Sequence, residues 1–124
     1  MTDKLLSGRR VLVGEDEMLV LLMAEDMLTD LGCESVTTAA SVDQALSLID
    51  TQVFDAAMLD VNLDGTKSHS VADALAARGV PFVFATGYGG HDTREGHRGR
   101  PVLRKPYRYE DLARILTRLL NPAP

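Results

Sequence analysis

Short, unbroken apolar runs alternate along this chain with longer segments of helical period. Val11-Leu12-Val13, Ala56-Ala57-Met58-Leu59, Phe82-Val83-Phe84-Ala85 and Val102-Leu103 are too short for helices and predict strands. The first extends over Arg10 to Gly14, Glu34 to Thr38 adds a short second strand, and Pro81 to Ala85 is apolar throughout, as a central parallel strand buried on both faces should be. Between them, Met18 to Leu31 carries Leu19, Leu22, Met23, Met27 and Leu31 close to a helical period, with Gly32 as its stop. Ser41 caps a second helix with Asp43 and Gln44 in its first turn and Ala45, Leu46, Leu48 and Ile49 as its apolar side. A third places Val71, Ala74 and Leu75 on one side and runs to about Arg78, where Gly79 ends it. The last spans Tyr109 to Leu120, with Leu112, Ile115, Leu116 and Leu119 inward. Residues 89–100 break the rhythm: they hold four glycines, three arginines and no apolar residue, so no stripe is available for packing. The expectation there is a loop, or at most a short and poorly packed helix.

Strands joined by helices imply parallel pairing and right-handed crossovers. Five such units predict an α/β, flavodoxin-like (βα)5 doubly wound parallel sheet of strand order 2-1-3-4-5 with an atypical fourth helix. Its site would lie at the switch point between the first and third strands.

Composition narrows the class. The 124 residues fit a single domain, and 45% hydrophobic with 25% charged residues is ordinary for a globular protein. A net charge of −5 argues against a general nucleic-acid binder, which would show a basic face. One cysteine, Cys33, permits no internal disulfide and fits a reducing compartment. No secretory h-region and no apolar run of transmembrane length is present, so the cytoplasm is the expected location and no membrane partner is expected. The tail Asn121-Pro-Ala-Pro124 stops the last helix, and the expectation is one domain, core about 9–120, without an output domain.

Chemistry gathers where the strands end. Glu15 and Asp16 follow the first strand, Asp60 the third, Thr86 the fourth, and Lys105-Pro106 the fifth. In a parallel sheet these ends converge on one crevice. Three carboxylates there want a divalent cation, and a hydroxyl and an ammonium want an anion. Magnesium beside a carboxylate that becomes phosphorylated satisfies both demands. Asp60 is the candidate nucleophile, and Glu15, Asp16, Asp60 and the backbone carbonyl of Asn62 are the candidate metal ligands. Without the cation the clustered carboxylates repel, and at least one should titrate high. Thr86 and Lys105 are the phosphoryl-binding candidates, and a cis Lys105-Pro106 bond would aim the lysine inward. Alone, each also fits a blander role: Asp60 a turn cap, Thr86 a strand former, Lys105 a solvated charge. Glu17 reads as an acid favouring a helix N-terminus and is left out of the site. His69, His91 and His97 lack a convergent ligand set, and Arg94, Arg98, Arg100 and Arg104 read as a local basic run. Gly87-Tyr88-Gly89-Gly90 lacks the spacing and lysine of a nucleotide loop.

Together these fragments resemble the receiver domain of two-component response regulators, from Arg9 to Leu120. Asp60 lies 44 residues after Asp16, Thr86 26 after Asp60, and Lys105 19 after Thr86. Pro81-Phe-Val-Phe-Ala-Thr-Gly-Tyr88 with Pro101-Val-Leu-Arg-Lys-Pro-Tyr107 resembles the Phe-Ala-Thr-Gly-Tyr subgroup of alphaproteobacterial single-domain response regulators, which act in stress-related phosphorelays. The resemblance implies that a histidine kinase or phosphotransfer protein donates phosphate to Asp60, that Mg2+ is the cofactor, and that signalling proceeds by protein–protein contact. It implies a phosphoacceptor rather than an enzyme, with slow self-dephosphorylation at most, tuned by Asn62 and Tyr88. It also marks a departure: the fifth-strand position that most receivers give to an aromatic switch is Val102. Tyr88 and Tyr107 are its candidate replacements, and residues 89–100 a candidate order–disorder switch.

Two other readings compete. A receiver-fold interaction module that is never phosphorylated would be expected to have lost one of Glu15, Asp16, Asp60, Thr86 or Lys105. A metal-dependent phosphohydrolase would want a second acid two residues after Asp60, where Asn62 stands. Kinase, stimulus, downstream partner and oligomeric state stay open at this level.

Overall fold

The computed structural model describes residues 5–86, 102–105 and 107–121. Five parallel strands, β1 (Arg10–Gly14), β2 (Ser35–Ala39), β3 (Ala56–Asp60), β6 (Phe82–Thr86) and β7 (Val102–Arg104), form one sheet in the order β2-β1-β3-β6-β7. Counted within that sheet, this is the expected 2-1-3-4-5. Four helices are described: α1 (Met18–Asp30), α2 (Val42–Thr51), α3 (His69–Ala77) and α4 (Tyr109–Leu120). The segment 89–100, where the poorly packed fourth helix was expected, lies outside the described residues, as do Tyr88 and Pro106.

Side chains alternate across the sheet, so each central strand feeds two cores. Val11, Val13, Met58, Val83, Ala85 and Leu103 meet Leu21, Ala24 and Leu28 of α1 and Leu112, Ala113 and Leu116 of α4. On the opposite face Leu12, Ala57, Leu59, Phe82 and Phe84 meet Ala45 and Ile49 of α2 and Val71, Ala72 and Leu75 of α3. Each large apolar side chain so buried contributes roughly 1.5–3 kcal/mol. The unbroken apolar strands are the direct consequence of this double coverage.

The ends of the elements follow their punctuation. Gly32 and Gly79 adopt φ 99° and 71° just past α1 and α3. The Ser41 hydroxyl accepts the Gln44 N–H at 3.1 Å while the Gln44 side chain accepts the Ala40 N–H at 2.8 Å, which fixes the start of α2.

Two expectations need correction. The inward face of α1 is Leu21, Ala24 and Leu28, joined by Leu31, whereas Leu19 and Leu22 are 73% and 48% exposed. Nearly every position in the first half of that helix is apolar, so several faces satisfied the same period. The second miss is an antiparallel hairpin after β3, made of β4 (Asn62–Leu63) and β5 (Thr66–Lys67). Its two-residue turn is Asp64-Gly65 with φ 52° and 81°, the left-handed pair that a tight hairpin requires.

Candidate functional site

Strand ends place the site. The Glu15 N–H donates to the Ala39 carbonyl at 2.9 Å, carrying the β1–β2 ladder one residue past β1 and fixing the direction of the Glu15 side chain. Just before it, Gly14 lies so close to Leu59 and Leu63 that an added Cβ would meet their methyls at 3.0 and 3.3 Å. The next strand delivers Asp60 as the last residue of β3, with the Val61 N–H bonded to the Ala85 carbonyl at 3.1 Å. On the far side, Thr86 ends β6 half-buried, and its carbonyl accepts the Lys105 N–H at 2.9 Å. That bond sets Lys105 at the end of β7, facing the acids.

The Lys105 ammonium lies 2.7 Å from Asp60 Oδ2, 2.8 Å from Glu17 Oε1, and 3.2 and 3.3 Å from the two oxygens of Glu15. Its side chain is 9% exposed, so the lysine is not a solvated one. Carboxylate oxygens of Glu15, Asp16 and Asp60 all lie within 4.8 Å of one another, a spacing at which a single small cation can be shared. The backbone also holds the acids. Asp60 Oδ1 accepts the Asn62 N–H at 3.1 Å, Asp16 Oδ2 accepts the Asp64 N–H at 3.1 Å, and Glu15 Oε2 accepts the Glu17 N–H at 3.1 Å.

Electrostatics follow burial. Glu15 is fully buried, and this desolvation, with the Asp60 charge adding to it, raises its carboxyl above the usual range although the Glu17 N–H and Lys105 pull the other way. The expected high-titrating carboxylate is therefore present, but burial outweighs repulsion as its cause. Burial opposes the charge on Lys105, yet its bonds to Asp60 and Glu17 and the surrounding acids raise it well above the usual lysine value. Tyr107 is buried beside Glu15, and burial first and that charge second push its phenol up. Four residues expected at the site, Glu15, Asp16, Asp60 and Lys105, thus come together at the ends of β1, β3 and β7, with Asn62 adjoining through its N–H and Thr86 through its backbone carbonyl to Lys105.

Two contributors were missed. Glu17, set aside as a helix-terminus acid, does stand at the N-cap of α1, but its carboxylate makes no cap bond and reaches Lys105 instead. Ser68, fully buried at the start of α3, donates its hydroxyl to the Asp60 carbonyl at 2.6 Å. A serine ahead of a helix was the available signal for Ser68; nothing in the sequence told which way Glu17 points. Elsewhere, His69 packs edge-on against Phe84 with ring centroids 5.9 Å apart. Burial pushes the Cys33 thiol up to about 11, so it stays protonated. His91 and His97, and Arg94, Arg98 and Arg100 of the basic run, lie outside the described residues.

A crevice of acids with one buried lysine thus lies at the carboxyl ends of the 2-1-3-4-5 sheet, consistent with a phosphoacceptor pocket. The response regulator receiver domain family matches residues 11–117, and the chain belongs to that family. The transcriptional regulatory protein PdtaR of Mycobacterium tuberculosis is 30% identical over 108 residues, covering 84% of this chain and 53% of that protein. The chain therefore spans about half the length of that curated relative. The BeF3-activated solution structure of SdrG from Pseudomonas melonis Fr1 is 44% identical, covers 92% of this chain and 98% of that one, and superposes with a TM-score of 0.78. The receiver domain of the sensor histidine kinase PA1611 of Pseudomonas aeruginosa PAO1, crystallised with a magnesium ion in its active-site cleft, is 29% identical, covers 92% and 98% of the two chains, and has a TM-score of 0.80.

Proposed function

We propose that Asp60 accepts a phosphoryl group from a phosphohistidine of a histidine kinase or phosphotransfer protein. An Asp60 carboxylate oxygen attacks phosphorus, the new P–O bond forms as the P–N bond breaks, and the electron pair leaves with the imidazole nitrogen. The observation that carries this reading is Lys105 at 2.7 Å from Asp60, beside the clustered carboxylates of Glu15 and Asp16. Glu15, Asp16, Asp60 and the Asn62 carbonyl would hold Mg2+, which would neutralise charge on the incoming phosphoryl oxygens. The oxygen-only donor set fits that ion and offers no nitrogen or sulfur for zinc. Lys105 would exchange its resting contacts for a phosphoryl oxygen, and the Thr86 hydroxyl, at the neighbouring strand end, would donate to another. The Asn62 N–H keeps one Asp60 oxygen aligned throughout. Asn62 cannot act as a second acid, so the acyl phosphate would hydrolyse slowly.

The remaining features support a finer reading. The Pro81 to Tyr88 stretch supports a likeness to the alphaproteobacterial single-domain regulators of stress-related relays, and such a regulator would act in the cytoplasm through protein contacts. Among the described residues no helix is long and apolar enough to cross a membrane. With Val102 in place of an aromatic, Tyr107 beside Glu15 and the segment 89–100 would report phosphorylation.

Intact mass after incubation with acetyl phosphate and Mg2+ tests the proposal. The expected result is an adduct of one phosphoryl group that is absent in Asp60→Asn and lost with chelator. A wild-type chain that binds Mg2+ but takes no phosphoryl group from acetyl phosphate or from a phosphorylated kinase would instead favour a receiver fold used only for docking.

A further inference from the structure

We infer that Glu17 is a positioning residue that latches Lys105 in the unphosphorylated state and must release it before the ammonium can serve a phosphoryl group. The inference rests on the phosphoacceptor reading above. An ammonium has three hydrogens, and here all three are engaged: one on Asp60 at 2.7 Å, one on Glu17 at 2.8 Å, and one divided between the two Glu15 oxygens at 3.2 and 3.3 Å. Two of those partners belong to the acidic triad, whose oxygens would serve a cation bound there. Glu17 is outside the triad, so its contact would remain for the new phosphoryl oxygens to displace.

The local structure leaves Glu17 little else to do. Acids at an N-cap normally accept N–H groups of the first helical turn, but the Glu17 side chain caps nothing, and its own N–H is held by Glu15. Its side chain is 63% exposed, against 9% for the lysine side chain it holds. Such a contact is weak and breaks readily, as a latch requires. The burial of Lys105 means that opening the latch leaves the ammonium where it is, already directed at Asp60.

The test is titration with beryllofluoride at saturating Mg2+, a phosphoryl mimic, together with the acetyl phosphate adduct by mass. Glu17→Gln is expected to tighten mimic binding about two- to fivefold, the span of an exposed ion pair. Glu17→Asp keeps the charge but, one methylene shorter, loses the 2.8 Å contact, and should match Glu17→Gln. Asp43→Asn removes an exposed charge at the start of α2 that touches neither Lys105 nor the acids of the site, and should match wild type. Equal gains in Glu17→Gln and Asp43→Asn with none in Glu17→Asp would reduce the effect to general charge and overturn the latch. Unchanged or weaker binding in the Glu17 variants would also overturn it, with phosphorylation of Asp60 intact. A wild type that neither binds the mimic nor forms an Asp60 adduct would remove the phosphoacceptor reading, and the latch with it.

Discussion

Glu15 shows how much one side chain can give up for a site. It is fully buried, and its carboxyl titrates above the ordinary range chiefly because water is excluded. For an acid shifted upward, the folded state binds its proton more tightly than the unfolded chain. Stability is then lost as pH rises from the unfolded value, about 4.3, through the raised folded one. Glu15→Gln should therefore be more stable than wild type near neutral pH in chelator, with Asp60 and Glu17 still pairing Lys105. The gap should close as pH falls toward 4.3. Urea midpoints across pH in EDTA measure it. Ser68 works in the opposite sense. Its hydroxyl reaches the Asp60 carbonyl at 2.6 Å with no solvent to replace it, so Ser68→Ala should cost about 1–3 kcal/mol. The same change should broaden or shift the Asp60 amide signal, since it loosens the acceptor strand. The sequence showed which residue types stand at strand ends, because a parallel sheet brings those ends together. It did not show rotamers, and so Glu17, one residue beyond the predicted ligands, was assigned to the helix rather than to Lys105.

Among the elements, strand and helix positions were legible wherever period and punctuation agreed. β1 and α4 fall where the pattern put them, and β2 and β6 each sit one residue later. Failure came where the pattern was redundant, as in α1, or very short, as in the β4–β5 hairpin. That hairpin matters to the site because the Asp64 N–H holds Asp16 Oδ2 at 3.1 Å. Gly65 at φ 81° has open space around a would-be Cβ, so the penalty of Gly65→Ala is backbone strain alone, roughly 1–2 kcal/mol. The expected outcome is a lower urea midpoint and weaker Mg2+ binding, since the turn that aims Asp64 at Asp16 is distorted. Asp64→Asn should leave both nearly unchanged. Unequal midpoints with identical Mg2+ affinity would show that the hairpin is structural decoration and not a support for the metal ligand.

At the scale of the molecule, one sheet carries two cores and a single acidic rim. The cores come from β1, β3 and β6 packing helices on both faces, and the rim is where those strands stop. Charge repulsion at the rim is thus borne by the same strands that hold the fold together, so filling the rim must stabilise the whole domain. A cation that binds only the folded chain adds RT ln(1 + [L]/Kd), about 2.7 kcal/mol at a concentration one hundred times Kd. Mg2+ should raise the urea midpoint of wild type accordingly, and EDTA should reverse it. Asp16→Asn keeps the Lys105 cluster, because Asp16 makes no contact with that ammonium, yet removes a ligand of the triad. Its midpoint in EDTA should equal or exceed wild type, while its response to Mg2+ should be largely lost. If Asp16→Asn responds to Mg2+ as wild type does, the cation acts elsewhere on this acidic chain. If both lose stability equally in EDTA and neither recovers, the triad is a structural cluster bound up with Lys105 and not a metal site.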